Sequence, residues 1–154
     1  MAEEARDFKL ALKLYEEYIY TCERPELELI VNLLCIYFEA QDLGFAQEQK
    51  ISGDVMAECY DKMQQLIKIS KSLYPDSVKL RFWINYVKYF YFGEEPYDVL
   101  DEKLYTNQTE TLDPYFAFSD YKNKYVNEIN QLKKEVEEGR TFRERLIKPI
   151  ITAS

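Results

Sequence analysis

Residues 78–92 read VKLRFWINYVKYFYF, with Lys79, Arg81, Asn85 and Lys88 as the only polar positions. Pro75 and Asp76 precede the stretch and Gly93 closes it. Aspartate favours the start of a helix and glycine its end, so this segment is predicted as one helix with Asp76 as its cap. Its polar residues are too few to cover a face with water. Such a helix must lie at the centre of a fold or against a partner. Arg81, Asn85 and Lys88 share one stripe at helical spacing, and Lys79 falls off it.

The chain on either side reads as helical too. Phe8, Ala11, Leu12, Tyr15, Tyr18, Ile19 and Cys22 recur at three- and four-residue steps, which predicts a helix over about 4–22. Pro25 opens a second helix, about 25–43, in which Asn32 is the only polar residue between Leu29 and Phe38. Residues 44–53 read as a loop. Asp54 is the predicted cap of a third helix, about 55–74, whose face is Val55, Cys59, Met63, Leu66, Ile67 and Ser70. Beyond Gly93 a short helix is expected near 96–105 and a polar turn at 106–111. Asp113 and Pro114 then open a fifth helix running to about 138, with Phe118, Tyr121, Tyr125, Ile129, Leu132 and Val136 on one side. Thr141 with Glu144 has capping-box spacing for a last short helix cut by Pro149.

A faint repeat with an offset of 50 pairs Pro25 with Pro75, Ile30 with Leu80, Leu33 with Trp83, Leu34 with Ile84 and Tyr37 with Val87. The expected fold is therefore all-α, a single domain over 1–154 built as a bundle or short solenoid of five to six helices in stacked antiparallel hairpins. Within it, 4–93 would form two hairpins with 27–43 and 78–92 central, 94–113 an acidic connector, and 114–148 the C-terminal helices. A domain of this length buries roughly 70% of its unfolded surface and needs no metal or disulfide to stand.

Between residues 56 and 93 an Ala57-x-Cys59-Tyr60 amphipathic helix leads to Leu73-Tyr74-Pro75-Asp76, and an aromatic-rich helix then closes at Gly93. This stretch resembles a tetratricopeptide repeat. The resemblance implies stacked helical hairpins and, in that family, a concave groove for proteins or peptides.

Histidine is absent, which removes the usual base near neutral pH and with it Ser–His and Cys–His nucleophile pairs. Four scattered glycines cannot build a phosphate cradle, and no Walker or dinucleotide motif occurs. Adjacent carboxylates such as Glu16–Glu17 and Glu137–Glu138 point about 100° apart on a helix and do not share a site. No catalytic residue, metal ligand or cofactor is expected, and the chain reads as a non-enzyme. Cys22, Cys35 and Cys59 are odd in number and widely spaced, unlike a secreted disulfide framework. The acidic start MAEEARDFK does not resemble a signal peptide, and no apolar run approaches the length of a membrane span. A cytoplasmic setting is expected.

A net charge of −8 argues against nucleic acid as partner. Residues 94–113 carry seven acids against Lys103 alone and are interleaved with aromatic rings. Glu94, Glu95, Tyr97, Asp98, Asp101, Glu102, Tyr105, Tyr115 and Phe116 are the candidate partner-binding residues. Tyrosine supplies rigid contact area and carboxylates speed encounter with a basic surface. The alternative is that these rings lie under a loop on the helical core and the acids only solubilise it. Arg140, Arg143, Arg145 and Lys148 form a local basic end. The expected function is protein binding, best read as stoichiometric inhibition of a basic partner in the manner of an immunity protein or antitoxin. A structural or adaptor subunit of a larger cellular or viral assembly is the alternative.

Overall fold

The structure is a computed structural model that describes residues 7–92, 101–119 and 124–152, with backbone only at 91 and 92. Within these residues the protein is all-α, and no strand occurs among them. Among the described residues eight α-helices are present: α1 (Phe8–Thr21), α2 (Leu27–Glu39), α3 (Leu43–Glu48), α4 (Gly53–Leu73), α5 (Val78–Phe92), α6 (Glu102–Thr106), α7 (Val126–Glu135) and α8 (Phe142–Thr152). A 3₁₀ turn covers Asp113–Phe118. Backbone contacts divide the chain into two compact units, residues 1–75 with 141–143, and residues 76–140 with 144–154. The division falls at Pro75–Asp76. It separates the helices at 27–43 and 78–92 that the sequence pairs as central.

Local chemistry explains the helix starts. The Asp7, Asp42 and Ser52 side chains accept the Leu10, Phe45 and Val55 amides at 3.1, 2.8 and 3.2 Å, capping α1, α3 and α4. Asp54, expected as the α4 cap, instead lies inside its first turn, where its charge suits the helix dipole. Helix α3 occupies the segment read as a loop. Its six residues carry little periodic signal, and the Asp42 cap nucleates them.

In the first unit, α2 packs against both α1 and α4. Ile30, Val31, Leu33, Leu34, Cys35, Ile36 and Tyr37 are all sealed from solvent, so α2 has no free face along its middle turns. Its one polar core residue is satisfied at both ends. Asn32 donates to the Glu28 carbonyl at 3.0 Å and accepts the Arg143 amide at 3.2 Å, 111 residues away. Phe142 meets Phe45 edge-on at 6.1 Å, and Phe45 meets Phe8 at 5.8 Å. The first residues of the last helix are thereby seated in the first unit. The Tyr74 hydroxyl donates to the Pro25 carbonyl at 2.7 Å, tying together the two proline turns of the faint repeat.

In the second unit, the 3₁₀ turn packs against α5, α6 and α7. The fifth helix expected over 114–138 is thus two elements, the 3₁₀ turn and α7, with residues 120–123 outside the described chain. Asp113 does not cap a long helix. Its side chain turns inward and is buried, which favours a tight turn there. Ser77, not Asp76, caps α5, accepting the Leu80 amide at 3.1 Å. Helix α8 runs through Pro149 to Thr152. Proline removes one backbone donor there but has a helical φ, so the last turn persists. Glu144 reaches back to the Arg140 amide at 2.7 Å. Gly139, just after α7, has φ +58°, a left-handed conformation that strains any residue with a Cβ.

Candidate functional site

The acidic, aromatic segment after Gly93 is the region singled out by sequence. Of its candidates, Glu94, Glu95, Tyr97 and Asp98 lie outside the described residues. The other five are placed, and each has an internal task.

Tyr105, Tyr115 and Phe116 are buried, at 0%, 5% and 1% exposure, and so offer no free contact area. Tyr105 and Phe116 belong to an aromatic core built around Phe82 and Trp83, while Tyr115 meets Tyr125 edge-on at 5.2 Å. Phe82 meets Tyr105 and Phe116 edge-on at 5.4 and 5.6 Å, while Trp83 stacks on Phe116 at 5.5 Å. Such pairs each add about 1 kcal/mol beyond area burial. The hydroxyls of the two tyrosines are used as well. Tyr105 accepts from Asn85 at 2.7 Å, and Tyr115 donates to the Thr106 carbonyl at 3.2 Å.

The carboxylates are engaged in the same way. Asp101 caps α6 through the Lys103 amide at 2.9 Å. Glu102 pairs with Lys124 at 2.7 Å and accepts the Tyr125 hydroxyl. The ammonium of Lys124 and then the Tyr125 hydroxyl hold the Glu102 carboxyl below its usual range. Glu110 accepts the Lys79 amide at 2.8 Å and the Ser77 hydroxyl at 3.2 Å. It therefore covers the second orphan donor of α5, while Ser77 covers the third. Asp113 is 1% exposed and accepts the Trp83 indole N–H at 2.8 Å, with the Lys79 ammonium at 3.7 Å. Neither Glu110 nor Asp113 was singled out by sequence as a contact. Their partners lie about 30 positions upstream, beyond the reach of any local pattern.

A concave site does occur in this unit. Tyr86, Tyr89, Phe90, Phe116, Ala117, Ser119 and Ile150 line a cleft of about 190 Å³. Phe90 and Ile150 stand at 56% and 40% exposure on its wall. Phe90 lies 4.6 Å from Tyr86 and 4.7 Å from Tyr89, ring to ring. Among the described residues its lining holds no Asp, Glu, Lys, Arg, His or Cys and is largely aromatic and aliphatic, which suits an apolar side chain.

In the first unit, one polar network crosses the helices. Lys62 pairs with Glu16 at 2.9 Å, and the Tyr37 hydroxyl donates to the same carboxylate at 3.2 Å. The Tyr37 proton is thus committed, so Tyr20 is the donor in the 3.1 Å contact between the two hydroxyls. Burial pushes the Tyr37 phenol far up, and burial with the nearby Glu16 charge pushes the Cys59 thiol up to about 11. These groups hold their protons at neutral pH and do not form a reactive centre.

A second acidic feature was missed. Asp54, Glu58 and Asp61 stand at four- and three-residue steps on α4, all exposed. They make one negatively charged stripe. Its spacing is legible in the sequence, where 94–113 differs from it by interleaving acids with aromatic residues. Among the described residues, no group of three His, Cys, Asp or Glu side chains is arranged to hold a metal ion, and no helix is long and apolar enough to cross a membrane. No family model, curated protein or solved structure matches this chain.

Proposed function

We propose that this protein is a non-enzymatic, protein-binding chain that acts as a stoichiometric inhibitor of a basic partner. The observation that carries the reading is the exposed stripe of Asp54, Glu58 and Asp61 on α4, within a chain of net charge −8. A row of carboxylates on a rigid helix attracts a cationic surface over about a Debye length and suppresses wrong partners. It also imitates the charge spacing of a polyanion, which suits the cleft of a nucleic-acid-processing partner. Affinity capture from cells of origin, with the wild type and a D54K/E58K/D61K variant, tests it. The expected result is a basic partner held one-to-one, with association at least tenfold slower in the variant or at high salt. A partner that binds both proteins alike would end the reading.

The second reading, a structural or adaptor subunit of a larger assembly, draws support from the aromatic cleft. Phe90 and Ile150 leave apolar surface exposed at a concave site, as intersubunit contacts do. Size exclusion separates the two: a stable monomer of 18.5 kDa opposes an obligate subunit.

A further inference from the structure

We propose that residues 101–118 form an acid-releasable strap over the aromatic core of the second unit, latched by the carboxylates of Glu102, Glu110 and Asp113. The strap consists of α6, the turn after it and the 3₁₀ turn. On its apolar underside Tyr105 and Phe116 cover Phe82, Trp83 and Tyr86 of α5, and Tyr115 meets Tyr125. Each latch ends on a different target. Glu102 holds Lys124 and Tyr125, Glu110 holds the start of α5, and Asp113 holds Trp83 and Lys79. The elements are short: α6 has five residues and the 3₁₀ turn six, too few to be stable by themselves. The strap therefore depends on its side-chain ties to stay closed.

An ionised carboxylate is a charged acceptor with no proton of its own. A protonated carboxyl loses its charge and half of its acceptor capacity. The Glu102 carboxyl lies below its usual range because of Lys124 and Tyr125. A carboxyl held lower in the folded than in the unfolded chain contributes stability above its unfolded value. That contribution is lost as pH falls through the folded value. Among the described residues, other charged groups near the strap are Lys103 beside Glu102, Arg81 of α5 and Asp101 near Tyr105, and Glu128 of α7 near Tyr115.

Release has a consequence for binding. Phe116 and Tyr86 line the cleft as well as the core, so opening the strap extends the cleft into the Phe82–Trp83 surface. The strap is thus an inhibitory cover on an apolar surface. This step goes beyond the proposed charge-guided inhibition and does not depend on it.

Trp83 is the only tryptophan and reports on the second unit, while all three cysteines lie in the first. Acid titration of the full chain is followed by Trp83 emission, far-ultraviolet circular dichroism and modification of the thiols by a disulfide reagent active in acid. The expected result is a Trp83 transition near the carboxylate range, about pH 4, with binding of an apolar dye, while helicity and the protection of Cys35 and Cys59 persist. Glu110→Ala removes the acceptor for the Lys79 amide and the Ser77 hydroxyl at an exposed position and moves the Trp83 midpoint upward. Asp113→Asn makes the neutral-pH emission resemble the acid form. Coincident change of all signals, or an unmoved midpoint in Glu110→Ala, would overturn the strap and leave ordinary acid unfolding.

Discussion

The two units reach a buried core by different routes. In the first, long helices bury one another through apolar side chains, both aliphatic and aromatic, and α2 is sealed along its middle turns. In the second, a single long helix, α5, is covered by pieces of five and six residues whose positions are set by carboxylates and tyrosine hydroxyls. Apolar helix packing is tolerant, because many small contacts share the load. A polar clasp is all-or-none, because a buried donor without its acceptor costs more than the bond contributes. The first unit should therefore respond to lost volume and the second to lost charge.

The sharpest way to break that contrast is to cut volume from the first unit. Leu34→Ala should cost about 4 kcal/mol in urea denaturation, with the buried thiols becoming reactive. Next comes Asp113→Ala, which strands the Trp83 N–H and the Lys79 ammonium. A loss of about 3 kcal/mol is expected, seen in Trp83 emission with the thiols still protected. Should Asp113→Ala prove harmless while Leu34→Ala disrupts both reporters, the contrast fails. Asn32→Ala removes the acceptor for the Arg143 amide and should cost about 1–2 kcal/mol. Amide exchange at the start of α8 should rise most.

Smaller effects sharpen the comparison. At mildly alkaline pH, Cys22, which is partly exposed, should react first. Cys59, buried and raised to about 11, and Cys35, also buried, should react only after opening of the unit. Glu102→Gln lies at the partly exposed end of the strap and should change stability least. Its effect should vanish below the range where Glu102 itself protonates, which a pair of acid denaturation curves would show.

Legibility in the sequence followed the same line. The helices of the first unit were readable because their apolar periodicity runs for four turns or more, and α1, α2 and α4 begin within four residues of expectation. The acidic segment was readable only as composition. A carboxylate beside a tyrosine looks the same whether both face water or both close a core. Tyr105, Tyr115 and Phe116 were read as contact area for a partner; Tyr105 and Phe116 are contact area for α5, and Tyr115 meets Tyr125. Asp113, read as a cap, is a buried acceptor for Trp83. The missed stripe at Asp54, Glu58 and Asp61 was visible at helical spacing, yet nothing local distinguishes a charged face that is merely solvated from one that meets a partner.

By itself the sequence determined that this protein is all-α and that the apolar helices at 27–43 and 78–92 must be covered. Periodicity and the scarcity of polar residues dictate that much, because an apolar helix cannot face water. Only the tertiary structure decided what covers each of them. Helix α2 is covered by α1 and α4, and α5 by a strap whose three carboxylates find a lysine, a helix start and an indole. Those pairings join residues about 20 to 30 positions apart, and it is chain geometry, not local pattern, that brings them together.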